Sequence, residues 1–202
     1  MSSDNTSKRI LLSVLGVAIL VAAVVGITFA AFSYTKTGTV ANTITTGAIT
    51  MSYTEPTNGI TLTNALPTTD DTGKKLTGTG NIFEFNVAAT ITGTTTINYA
   101  ITASKDSSST LPDTGVKVYL TSVSGTTETQ VLAPTLVSAL PKTSSSPSGA
   151  PNGQYTLKTG SYTASKTESY RLRMWVANTY STLSKSQTYK LRVNVYGSAS
   201  AK

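Results

Sequence analysis

Phe83-Glu84-Phe85-Asn86-Val87-Ala88-Ala89-Thr90-Ile91 is the stretch whose reading decides the fold. Apolar side chains fall at Phe83, Phe85, Val87, Ala89 and Ile91, while Glu84, Asn86 and Thr90 take the positions between them. A period of two sends alternate side chains to opposite sides of a pleated strand, whereas a helix needs apolar residues three and four apart. The stretch predicts a strand with one face in a core and the other in water.

The same rhythm recurs on either side. Upstream, Ile49, Met51 and Tyr53 share a face, and Ile60 and Leu62 start a short strand. Downstream come Ile97, Tyr99, Ile101 and Ala103, then Val116, Val118 and Leu120. Weaker strands cover residues 130–132 and 155–157, and Tyr162 extends or follows the latter. Near the end, Tyr170, Leu172, Met174 and Val176 alternate with Arg171, Arg173 and Trp175. Tyr189, Leu191, Val193 and Val195 then alternate with Lys190, Arg192, Asn194 and Tyr196. About eight short strands, separated by Gly, Pro, Asn, Asp and Ser clusters, predict an all-β chain of two antiparallel sheets packed face to face, a sandwich or jelly roll. Residues 104–114 and 139–152, rich in Ser, Pro, Asp, Lys and Gly, read as exposed loops, the second long enough to move or to touch a partner.

Composition removes whole classes of function. The 202 residues include no cysteine and no histidine, so a disulfide framework, a thiolate zinc site, a Ser-His-Asp triad and an imidazole base are all excluded. Charged residues are 12% against a usual ~25%, but 10 Tyr and 4 Phe supply a core, so low charge does not mean disorder here. The net charge of +7, with a pI of about 9.6, favours anionic surroundings. No block of about five or six like charges marks a nucleic-acid arm, and the scattered cations read mainly as solubility.

At the N-terminus, Lys8-Arg9 precedes a stretch with no charge until Lys36. A positive start, an apolar run and small residues before a polar chain describe a secretory signal spanning residues 1–30, cut between Ala30 and Ala31 with Thr28 and Ala30 as the small residues. The other reading keeps the segment as a membrane anchor through residues 10–32, because about 20 apolar residues span hydrocarbon. Both place the remainder beyond a membrane. Cleavage would remove Asp4, Lys8 and Arg9 and leave +6. The expected organisation is residues 1–30 as signal or anchor, 31–47 as a leader, and 48–202 as the sandwich.

Residues able to do chemistry are sparse. Asp70-Asp71 before Gly73 lacks the alternating acidic pattern of a calcium loop and reads as a turn. The remaining carboxylates are expected mostly at turns and strand ends, with no spacing that argues for a glycosidase pair. Gly78-Thr79-Gly80 leads into a strand, not into a helix N-terminus that would hold phosphate. No catalytic, cofactor or metal residue is assigned. One surface feature stands out: if the last two strands are neighbours, Arg171, Arg173, Trp175, Lys190, Arg192 and Tyr196 form a basic, aromatic-edged contact strip. It would be either a solvated face or a surface for another subunit, an anionic wall polymer or extracellular nucleic acid.

Gly26-Ile27-Thr28-Phe29-Ala30-Ala31-Phe32-Ser33 resembles the signal junction of the TasA and camelysin family of Gram-positive bacteria, exported through a SipW-type signal peptidase. Thr43-Ile44-Thr45-Thr46-Gly47-Ala48-Ile49 is similar to that family's first strand, and Leu66-Pro67-Thr68-Thr69-Asp70 falls where it has a Leu-x-Pro-Gly-Asp turn. Phe83 and Phe85 match its Phe-rich strand, and residues 187–196 resemble its closing strand; Thr68-Thr69 departs from the pattern, and the long insertions of TasA are absent. The resemblance implies a jelly-roll subunit of extracellular matrix (biofilm) fibres or a cell-surface layer, a homo-polymer joined by N-terminal strand donation. Residues 31–47, with Phe32, Tyr34, Val40 and Ile44 as knobs, would be the donor, since strand addition draws affinity from main-chain hydrogen bonds and selectivity from alternate side chains. Otherwise the segment is a flexible leader or folds onto its own sheet. Camelysin-type members have been described as proteases, but without histidine the His-Glu-x-x-His chemistry is out of reach, and no enzyme is expected. The rival expectation is a membrane-tethered monomer that binds glycan or anionic wall polymer at the cell surface; type IV pilin is a further structural alternative.

Overall fold

The computed structural model describes residues 33–37, 42–46, 49–54, 59–78, 80–91, 95–181 and 187–200, together with Leu15 and Val17. The expected cut at Ala30 and Ala31, the knobs Phe32 and Val40, and residues 10–32 other than Leu15 and Val17 lie outside them. Among the described residues no helix is long and apolar enough to cross a membrane.

Twelve strands among the described residues form two curled sheets. The first contains β1 (Ser33–Thr37), β4 (Ile60–Thr63), β7 (Thr96–Lys105), β10 (Tyr155–Tyr162) and β12 (Thr188–Ser200). Its order is β1-β12-β7-β10, and β4 also pairs with β12. The second contains β2 (Asn42–Thr46), β3 (Ile49–Thr54), β5 (Pro67–Thr68), β6 (Ile82–Ile91), β8 (Val116–Ser124), β9 (Thr127–Leu136) and β11 (Lys166–Ala177). Its order is β2-β3-β6-β11-β8-β9, and two-residue β5 adds a parallel pairing to the end of β11, the one such pairing among the described residues. The expected all-β, two-sheet architecture is what the chain adopts. β11 and β12 are each the hub of a different sheet.

The deciding stretch behaves as its alternation demands. Phe83, Phe85, Val87, Ala89 and Ile91 are buried, while Glu84, Asn86 and Thr90 are exposed. Phe83 stacks on Phe85 at 5.7 Å between ring centroids, and Phe85 on Tyr170 at 5.4 Å. Pairs of this kind contribute about 0.5–1.5 kcal/mol beyond the area they bury.

In β10 the alternation changes phase. Tyr155 and Leu157 use odd positions, but a bulge between Thr156 and Lys158 shifts the register against β7. An extra residue in one strand lets two consecutive side chains face the same way. Beyond it Lys158 pairs with Ile101, Gly160 with Tyr99 and Tyr162 with Ile97, so even-numbered residues now face inward. One strand therefore contains the two fragments that the sequence pattern separates.

Both loops expected to be exposed are partly buried. In residues 139–152, Leu140, Thr143, Ser148 and Ala150 are buried, and Ala150 packs with Ala100 and Tyr196 on the outer face of the first sheet. Gln154, just beyond, donates to the Tyr196 hydroxyl at 2.7 Å and accepts from Thr102 and, at 3.3 Å, from Asn194. In residues 104–114, Leu111 is buried and the amides of Thr110 and Leu111 donate to the Thr188 carbonyl at 2.8 and 3.1 Å. On the opposite outside of the molecule, the single-turn helix Asp70–Gly73, capped by Thr69, covers Trp175. A Cβ built at Gly73 would stand 2.4 Å from the Trp175 ring, so only glycine permits that approach.

Candidate functional site

The expected contact strip does not form. Arg171, Arg173 and Trp175 belong to β11 and lie on the outside of the second sheet; Lys190, Arg192 and Tyr196 belong to β12 in the first. Alternation assigns a side chain to a face but does not say which strands are neighbours. Nor is the charge of Arg171, Arg173 and Arg192 free. Arg171 pairs with Glu84 at 2.5 Å and with Glu128, and Arg173 grips both oxygens of Glu128 at 2.6 and 2.9 Å. Arg173 also donates to the Leu76 carbonyl at 2.8 Å and is only 4% exposed. Hydrogen bonds from Arg173 hold the Glu128 carboxyl at about 2, against a smaller opposing effect of burial. Arg192 pairs with Asp106 at 3.0 Å, and Trp175 and Tyr196 are 2% and 1% exposed beneath their loops. As expected, most described carboxylates lie at turns or strand ends: Asp70 and Asp71 in the single-turn helix, Asp106 just past β7, Asp113 in a turn before β8 and Glu128 at the start of β9, while Glu84 and Glu168 stand further into their strands.

The leader is folded onto its own chain. β1 runs antiparallel to β12, Ser33 opposite Ser198 through Thr37 opposite Asn194. Tyr34 stands opposite Gly197, and Ile44, in β2, opposite Met51 of β3. β1 shares one edge of β12 with β4, which takes Thr188 to Leu191 by pairing Thr63 to Ile60 with them.

Functional side chains also gather where no sequence expectation placed them, at one end of the sandwich. Glu168 occupies the apolar phase of β11, in step with Tyr170 and Leu172, and so faces inward. Its Oε2 accepts from the hydroxyls of Tyr170 at 2.5 Å, Tyr162 at 2.7 Å and Tyr99 at 3.4 Å, and from Lys158 at 3.5 Å. Its Oε1 pairs with Lys166 at 2.8 Å. Lys158, turned inward by the bulge, donates to the Tyr170 hydroxyl at 2.7 Å and lies over the Tyr170 and Tyr99 rings at 4.9 and 5.7 Å. The Tyr99 and Tyr162 rings stack nearly parallel, 4.4 Å apart. Gly160 makes room for them, since a Cβ there would stand 2.9 Å from the Tyr99 ring.

Burial opposes ionisation of Glu168, but hydrogen bonds from Lys166, Tyr170 and Tyr162, with the Lys158 charge, hold its carboxyl at about 2. Burial and the bond to Glu168 push the Tyr162 and Tyr170 phenols upward. Beside this cluster opens a cleft of about 300 Å³, lined by Tyr99, Gly160, Tyr162, Lys166, Glu168 and the hairpin residues 161–165.

A second cluster of the same composition closes the other end. Asp113 accepts from Tyr189 at 2.8 Å and from Tyr155, and pairs with Lys105 at 2.9 Å. Lys105 lies over the Tyr189 ring at 5.1 Å and Lys142 over the Tyr155 ring at 5.4 Å. Burial works against the Asp113 charge, yet the bonds from Tyr155 and Lys105 lower its pKa. Burial and Asp113 together push the Tyr155 phenol up to about 12. Two ends of one core are thus sealed by carboxylate, tyrosine and lysine. One sequence signal points to the first seal: Glu168 stands in register with the apolar residues Tyr170 and Leu172.

No family model, curated protein or solved structure matches the chain.

Proposed function

We propose that this chain is an exported, non-catalytic structural subunit of extracellular matrix fibres or a cell-surface layer, built on a jelly-roll-type sandwich and released from residues 1–30 by a signal peptidase. Subunits join head to tail when β1 of one copy takes the place of β1 in the next. The observation that carries this reading is the place of β1, a five-residue strand at a sheet edge whose described pairing is to β12 alone. An identical strand from another copy would restore the same main-chain bonds, so exchange costs little beyond association. A head-to-tail contact of this kind does not close on itself and grows into a filament. Support also comes from composition, since a chain without cysteine or histidine cannot form a Ser–His or Cys–His pair.

The test combines N-terminal sequencing of the exported protein with assembly assays. A start at Ala31 and fibres that grow with concentration are expected. Removing residues 31–40 should leave a folded monomer that forms no fibres. Fibres that persist after this removal would overturn the reading. An intact Met1 in the membrane fraction would favour the tethered surface module instead.

A further inference from the structure

We propose that the cleft beside Glu168 is a binding site for an amino sugar carrying a free primary amine, as found in de-N-acetylated glucosamine polymers. The two oxygens of Glu168 have different duties. Oε2 is saturated by three phenols and Lys158, so it is committed to the core. Oε1 pairs with Lys166, whose side chain is 58% exposed while that of Glu168 is 17% exposed. An ion pair on so exposed a lysine is weak, about 1 kcal/mol or less. An ammonium group arriving in the cleft can take its place, and because one cation replaces another, the charge balance with Lys158 is unchanged.

The remaining lining selects what carries the ammonium. Ser161 and Thr163 edge the opening with exposed hydroxyl-bearing residues, Ser165 fixes the hairpin by accepting from the Ile91 amide at 2.9 Å and donating to its carbonyl at 3.2 Å, and Tyr99 and Tyr162 complete the wall. Hydroxyls and aromatic rings match a sugar ring bearing hydroxyls and one amine, and about 300 Å³ lies at the small end of ligand-sized clefts. Among the described residues, no aliphatic side chain larger than that of Ala164 lines the opening to receive the flanks of a peptide. With its pKa held at about 2, the Glu168 carboxyl is ionised through the mildly acidic range in which a sugar amine is protonated.

Calorimetric titration of the full chain with a glucosamine tetramer tests this, with the fully N-acetylated tetramer and a tetralysine peptide as the other probes. The amine form should bind and the acetylated form should not. Lys166→Ala should tighten binding roughly fivefold, the equivalent of about 1 kcal/mol, by removing the internal competitor. Glu168→Gln should abolish it. Lys166→Ala keeps the test decisive should Glu168→Gln fail to fold, since Lys166 is mostly exposed. Equal binding of both sugars, no binding by either the natural chain or Lys166→Ala, or unchanged affinity in Lys166→Ala would overturn the proposal. Tetralysine that binds as tightly and competes for the cleft would assign the site to a polypeptide and equally overturn it.

Discussion

Glu128 and Glu84 both bind Arg171, but their surroundings give them different weight. Glu128 also satisfies Arg173, which is nearly buried, and accepts from Thr121 at 2.8 Å. Removing it strands a buried guanidinium, so Glu128→Ala should cost about 2–3 kcal/mol. The Glu84 side chain is 53% exposed, and Glu84→Ala should stay within about 1 kcal/mol. Urea denaturation of the two variants makes the comparison. A second contrast concerns Gly73, where Ala would meet the Trp175 ring and should destabilise by about 1–3 kcal/mol, and Gly125, a turn position at φ 60 with nothing near its added Cβ. Gly125→Asn should be close to neutral, because asparagine tolerates that conformation and nothing crowds it. Thermal melts of Gly73→Ala and Gly125→Asn should separate clearly. At this scale the sequence was readable wherever polarity and alternation agreed, as at Phe83 to Ile91. It misled at Arg173 and Trp175, whose outward phase meets a covering loop instead of water.

Most strands declared themselves through alternation, because a strand with one wet face cannot hide its period. Sheet membership did not. β11 and β12 share the run of Tyr, basic residue, Leu and Arg because each is the centre of its own sheet, and similar surroundings select similar residues. β10 hid for another reason: its bulge changes the inward phase between Leu157 and Lys158, so a fixed-period reading breaks one strand in two. Residues 139–154 show the limit of composition. Their Ser, Pro and Gly content reads as solvent-facing, yet Ala150 and Gln154 shield Tyr196. Ala150→Asp would press a charge against that ring, and should lower stability by about 2 kcal/mol or more. Ser144→Asp, on an exposed residue of the same loop, should be neutral. Chemical denaturation of the two loop variants checks whether the loop is a cover or an ornament.

Taken whole, the molecule is a core closed at one end by Glu168 and at the other by Asp113, with Glu128 a further carboxylate held charged by Arg173 and Arg171 on the outside of the second sheet. The ordinary value for Glu128 and Glu168 is 4.5, and in the folded chain both are held at about 2. The unfolded chain takes up protons first as acid is added, so their stabilisation is complete above about pH 4.5 and is lost as pH falls through about 2. The contribution is of order 2 kcal/mol each. The unfolding midpoint should therefore be flat from pH 7 to about 5 and fall steeply below, and Glu128→Gln should flatten that fall. Urea titrations at stepped pH read the slope directly; an even decline from neutrality would count against the stabilising charge on Glu128 and Glu168. The topology has a further consequence, in time. β12, near the end of the chain, is the strand to which β1, β4 and β7 all attach, and β11, only slightly earlier, joins β5, β6 and β8. During synthesis from the N-terminus, the second sheet lacks its hub until β11 has been made, and the first until β12 has been made. A nascent chain without its hubs stays open and threadable, and folding becomes an event that follows the synthesis of residues 166–200.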